Sequence, residues 1–254
     1  MYEPVQLVKS TGPTGAARRV DDGSWRRGNI GMNEMTQPSA RPASGRKTAS
    51  WTQDPEGVRR GILEVARAEF VEKGLSGARV DEIAARTATS KRMIYYYFGD
   101  KEGLYRAVLE EAYSRIRNFE RSLDLADLPP REAIARLTGF TFDYHADNPD
   151  FVRLVMVENI HHGRHLASSS KIGALNLSAI DMIREVYERG LADGVFRENL
   201  DPIDIHLTIS ALAFYNVSNR ASIRQVFGHD MAAPQARARR RSSAIETVLR
   251  MLCR

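Results

Sequence analysis

From Asp54-Pro55 onward, apolar residues recur at steps of three and four, and that period confines the chain to helices. The first run, Val58, Ile62, Val65, Ala66 and Phe70, lies on one face of a helix. It opens with a side-chain cap and a proline at the first helical position, and it closes on Lys73 and Gly74. No alternation of apolar and polar residues lasts long enough for a useful strand, and no internal repeat is evident. The expected fold is all-α, with about nine helices.

The punctuation divides the period further. A short connection, 75–78, leads to a second helix at 80–87, with Asp81 and Glu82 at the positive end of its dipole. Thr87-Ala88-Thr89 predicts a tight turn, Ser90 caps a third helix and Asp100 a fourth. The fourth carries Leu104, Val108, Leu109, Ala112 and Ile116 as a long stripe to about residue 123, connecting the front of the chain to the rest. Beyond Pro129-Pro130, helices are expected at about 130–146, 149–162, 171–193, 201–227 and 235–252. Asn148-Pro149, Gly163, the Ser168–Ser170 cluster, Gly194 and Asp201-Pro202 separate them, and Gly228 and Pro234 bracket the last loop.

Residues 1–50 differ from the rest: they are rich in Gly, Pro, Ser, Thr and Arg and show no period. Such a stretch buries too little to offset its ordering entropy, so a disordered N-terminal extension is expected. Met32 and Met35 are alternative translation starts, and Arg41, Arg46 and Lys47 give a basic arm as the functional alternative. The formal charge of +5 suits a polyanion without proving one. A single cysteine, Cys253, forms no internal disulfide. No secretory stretch and no membrane-length apolar run occurs; the longest, Ile203 to Val217, is interrupted by Asp204, His206 and Asn216. A cytoplasmic protein is expected.

Residues 80–98 have the pattern of two short helices joined by a tight turn and buried on one side, a helix-turn-helix. Ile83 and Ala84 on the first helix, with Ile94 and Phe98 on the second, supply the buried side. Ser90, Lys91, Arg92, Tyr95 and Tyr96 remain outward, and these types suit a major groove. Cations contact guanine edges or phosphates, while phenols donate to phosphate and pack on sugar or thymine methyl. The alternative is a plain helical hairpin with tyrosines in its core. Against it, Tyr95-Tyr96-Tyr97 span more than half a helix circumference, so at least one faces out beside Lys91 and Arg92.

Ile83-Ala84, the turn, Ser90, Ile94-Tyr95, Phe98, Lys101-Glu102 and Leu104 resemble the N-terminal signature of the TetR family of bacterial regulators. Gly61-Ile62-Leu63, Ala66, Phe70 and Lys73-Gly74 fit the same pattern, and the resemblance covers about 54–110. Two positions depart from it: Ala88 stands where the family usually has glycine in the turn, and Arg79 where a capping threonine is common. Ala88 is tolerable if its backbone avoids the most crowded left-handed geometry. The resemblance implies a DNA-binding domain at 51–101 and a helical effector-binding and dimerisation domain at 102–254. It implies a homodimer on double-stranded, near-palindromic operator DNA, released by a small-molecule effector. The groove contacts then fall to Lys91, Arg92, Tyr95 and Tyr96, and the phosphate contacts to Arg79, Ser90, Tyr97 and Lys101.

In the rear half, Ile245, Val248, Leu249 and Leu252 form one stripe and Ile203, Leu207, Ala211 and Phe214 another. The resemblance assigns these last two helices to a dimer interface; intrachain core is the alternative. Arg237 and Arg239–Arg241 read as a solvated run. Glu158 with His162, and His161 with His165, are four apart and of types that ligate zinc, but Gly163 ends the helix between them and no cysteine is near, so no metal is expected. Effector-pocket candidates are the polar and aromatic residues within apolar helices: Tyr144, His145, Glu158, Asn159, Phe214, Tyr215 and Asn216. A helical enzyme using His and Glu of this half, and a DNA-binding dimer without a ligand, are the competing functions. The enzyme lacks a nucleophile motif and a phosphate-cradling loop, so neither catalysis nor a cofactor is expected.

Overall fold

Asp54 opens the part of the chain that the computed structural model describes, residues 54–254. The expectations for 1–50 and its basic arm lie outside the described residues. Asp54 accepts the Gly57 N–H at 2.9 Å, and Pro55 needs no donor, so α1 (Pro55–Gly77) starts where the sequence places it. Gly74, at φ +68°, interrupts this helix, and its carbonyl takes the Ala78 N–H. There follow α2 (Val80–Arg86), α3 (Lys91–Phe98) and the long α4 (Lys101–Arg121). A short 3-10 turn, Leu125–Asp127, leads to α5 (Pro130–Asp147), and α6 (Pro149–Ile160) restarts at the next proline. The chain continues through α7 (Arg164–Ala167), α8 (Ser170–Ala192), α9 (Pro202–Ser218), α10 (Arg220–Phe227) and α11 (Pro234–Leu252).

The fold is all-α: among the described residues the one pairing of extended backbone is an isolated bridge, Phe196 to Cys253. One expected helix stops short and another divides. The helix expected at 149–162 ends at Ile160, because His162 and Gly163 both take left-handed backbone. The helix expected at 201–227 breaks at Asn219, where Arg220 Nε draws the Asn216 carbonyl at 3.3 Å.

One buried apolar cluster runs from Ile62, Phe70, Ile83, Ile94 and Phe98 through Leu104 and Leu109 to Tyr144, Phe151 and Leu154. It joins the front helices to α5 and α6 by way of α4. A second cluster, with Ile134, Leu137, Ile183, Ile205, Ile209, Val248 and Leu252, holds α5, α8, α9 and α11 together. No helix among the described residues is long and apolar enough to cross a membrane.

Candidate nucleic-acid interface

The two short helices are fixed from beneath by a residue that sequence patterning missed. Glu69, 1% exposed on α1, accepts the Arg79 N–H at 3.3 Å at the start of α2. It also pairs with Lys73 at 2.8 Å and Arg86 at 3.5 Å. Arg79 gives α2 no side-chain cap, and the Glu69 carboxylate takes over that task beside the positive helix end. At the other end, Thr87 Oγ bonds the Ile83 carbonyl at 2.9 Å and the Thr89 N–H reaches back to Ala84 at 3.2 Å. Ala88 lies between them at φ +49°. The condition set for this alanine is therefore not met: the backbone enters the left-handed region that glycine would occupy without strain.

Ser90 Oγ accepts the Met93 N–H at 3.2 Å and so caps α3. Asp100 accepts from Gly103 at 2.6 Å and caps α4. The junction is tight: a Cβ on Gly103 would stand 2.0 Å from the Phe98 carbonyl oxygen, so α3 meets α4 at one fixed angle. Arg59 of α1 lies over the Phe98 ring, 5.3 Å from its centroid.

The outward face of α3 follows. Ile94 and Phe98 are buried, and Lys91, Arg92, Tyr95 and Tyr96 are exposed, Tyr96 at 78%. Tyr97 is half-buried, its ring 5.5 Å from that of Tyr96 and packed against the core. Arg92 makes no ion pair or hydrogen bond among the described residues. Lys91 pairs with Asp81 of α2 at 3.0 Å, which raises its pKa through the hydrogen bond and the charge of that carboxylate. Lys101 donates to the Ser76 carbonyl at 3.2 Å, tying the start of α4 to the last turn of α1. Arg79 is exposed at the start of α2.

The proposed pocket residues scatter. Tyr144, His145, Glu158 and Asn216 are buried and Phe214 is half-buried. Asn159 is exposed and bonds its own helix, Nδ2 to the Val155 carbonyl at 2.9 Å; Tyr215 is 51% exposed. Neither of these two faces the interior, because each lies on the outer side of its helix. Glu158 does not pair with His162, which is exposed beyond the helix end. Its carboxylate instead accepts from His165 Nδ1 at 2.8 Å and from the His165 and Leu166 N–H groups, capping α7. No cluster of three potential metal ligands forms among the described residues. Tyr144 lines a surface cleft with Arg67, Arg115 and Phe151.

The interior between α4, α5, α8 and α9 contains charged residues that the sequence reading did not single out. Arg117 and Glu120 are buried there and form an ion pair. Burial pushes the Glu120 carboxyl up against the opposing pull of Arg117. His145 and His206 are both pushed down to about 4, first by burial and then by the Arg117 charge. Spacing held the clue: Arg117 and Glu120 continue the Tyr113–Ile116 side of α4, so the period alone places them inward. Buried polar atoms without partners among the described residues remain here and nearby: Arg117 Nε, His145 Nδ1 and both amide atoms of Asn216.

Two family profiles match this chain. One, described as bacterial regulatory proteins of the tetR family, matches residues 62–108, and the other, a tetracyclin repressor-like C-terminal domain, matches 130–248. The chain belongs to the TetR family. This TetR-family chain is a helix-turn-helix transcriptional regulator, and the first profile spans the whole assembly of α2, α3 and the start of α4 described above. It is 36% identical over 195 residues to the HTH-type transcriptional repressor NicS of Pseudomonas putida, covering 76% of this chain and 91% of that one. Its fold matches the crystal structure of SCO4942 from Streptomyces coelicolor with a TM-score of 0.58 at 26% identity, over 77% of this chain and 98% of the other. FadR from Bacillus subtilis, solved with stearoyl-CoA, shares the fold at a TM-score of 0.58 and 18% identity, over 76% and 98% of the two chains.

Proposed function

We propose that this chain is a cytoplasmic, homodimeric repressor that reads operator DNA through α3 and leaves it when a small molecule enters the helical body. The outward face of α3 carries this reading: Lys91, Arg92, Tyr95 and Tyr96 project from a helix whose other side is locked by Ile94 and Phe98. A rigid helix presenting two cations and two phenols suits base edges in a major groove. Arg79, Ser90, Tyr97 and Lys101 flank that face as phosphate contacts, Ser90 with the hydroxyl proton that its capping role leaves free. Residues 51–101 serve DNA and 102–254 serve effector and partner, with α4 common to both.

The dimer forms through α9 and α11. Ile203, Leu207 and Ala211 of α9 are exposed, Leu207 at 55%, whereas Ile205, Ile209 and Ala213 fill the core from the opposite face. A helix apolar on two sides buries the second against another chain. On α11 the expected stripe divides, since Val248 and Leu252 are intrachain core and only Ile245 and Leu249 are left partly open.

The test is a Lys91→Ala, Tyr96→Ala double variant. Operator binding should be abolished while far-UV circular dichroism and dimer mass stay as in the parent. Binding retained at parental strength would remove α3 from the interface.

A further inference from the structure

The interior beside Arg117 is unusual in what it leaves unmatched. Arg117 is 7% exposed, and its Nη1 holds Glu120. Its side edge, the Nε and Nη2 pair that faces one direction, carries only the Asn176 amide oxygen, on Nη2 at 3.2 Å. Nε has no partner among the described residues. A guanidinium has donors and no acceptor, so whatever completes this edge must bring acceptor oxygens. Two oxygens at carboxylate spacing match the edge in a bidentate pair.

The surroundings set the rest of the ligand. Leu137, Met182, Ile183 and Ile209 wall a narrow void next to Arg117 and His206, with room for about a single water. A groove between α4 and α8 reaches the same place from outside, for Arg117, Glu120, Ala179 and Met182 line both. The groove rim mixes Arg121 and Lys171 with Asp124, Asp181 and Glu185, so selection by charge falls to the buried guanidinium. Burial first and the Arg117 charge second hold His145 and His206 down at about 4, so near neutral pH both imidazoles are uncharged and add no cation beside the guanidinium.

We propose that this interior takes a small monocarboxylate with an apolar body, whose oxygens bridge Nε and Nη2 of Arg117 in place of the Asn176 amide oxygen. The proposal rests on the reading of the chain as an effector-controlled regulator and names the effector's chemical class. Seating the apolar body in so small a void requires α4 and α8 to part. Arg117 lies about 24 Å along α4 from Lys101, so the displaced helix is the one that carries the α3 junction.

Calorimetric titration of the full chain with hexanoate and benzoate, each against its primary amide, tests this directly. Each pair has nearly the same shape and differs in charge. At least one carboxylate should bind at least roughly tenfold more tightly than its amide. Arg117→Lys, which keeps the charge and loses the side edge, should weaken that carboxylate by roughly tenfold or more. Equal affinity for acid and amide, no binding of either acid, or an Arg117→Lys variant that binds as the parent does would each overturn the proposal. Operator binding, measured separately without ligand, judges the regulator reading: its absence would fail that reading whatever the titrations give.

Discussion

Ala88 lies in the turn after α2 at φ +49°, where an L-residue places its Cβ too close to the carbonyl, at a cost of about 1–2 kcal/mol. Glycine removes that strain but gains entropy in the unfolded chain, so Ala88→Gly should stabilise by about 0.5–1 kcal/mol in urea unfolding. An unchanged or lowered midpoint would mean that the turn is held without strain. Lys91 poses a different question, since its partner Asp81 competes with phosphate for the same ammonium. Asp81→Asn should tighten operator binding by roughly three- to tenfold at moderate salt, through a freed cation and less repulsion. Weaker binding would show that Asp81 holds Lys91 in its working position. At this scale much was legible: the caps Asp54, Ser90 and Asp100 and the buried set Ile83, Ile94 and Phe98 follow from residue type and spacing. Glu69 was not, because a carboxylate that caps a helix ten residues away leaves no local pattern.

Helices announced by proline stood out, and α5, α6, α9 and α11 all carry proline in their first turn. Breaks made by side-chain competition did not. Asn219 separates α9 from α10 with neither glycine nor proline, and α7 exists because Glu158 caps it from seven residues back. Periodicity also gave α9 a single apolar ladder where there are two faces, an inner one on Ile205 and Ile209 and an outer one on Ile203 and Leu207. The outer face supports a specific expectation. Leu207→Glu should leave helicity intact and shift the chain from dimer to monomer in sedimentation at micromolar concentration; an intact dimer would move the interface elsewhere. The inner region of α5 and α9 carries His145 and His206, whose ordinary value of 6.5 falls to about 4. Between those values the unfolded chain holds more protons than the folded one, so stability falls as pH drops through that window. Urea midpoints should decline from pH 7 towards 4.5, and His206→Gln should flatten the decline; an identical slope in that variant would mean that His206 keeps an ordinary affinity for protons.

For the molecule as a whole, α4 is the element that matters most. Its first turns pack under α1 and α3, and its later turns carry Arg117 and Glu120 into the rear interior, so one rigid rod touches both the DNA-reading face and the ion pair. That continuity explains why the family was legible in 54–110 while the effector was not: the front pattern is set by contacts close in sequence, whereas the rear interior joins residues from four distant helices. Regulation by this chain depends on α3 telling base pairs apart. Its most direct measurement takes a duplex selected from a random library by the full chain and compares its affinity with that of a scrambled duplex of equal length and composition, across a salt series. The selected duplex should be preferred by roughly a thousandfold or more, with affinity for both falling as salt rises. Equal affinity for the two at moderate ionic strength would contradict that role for α3.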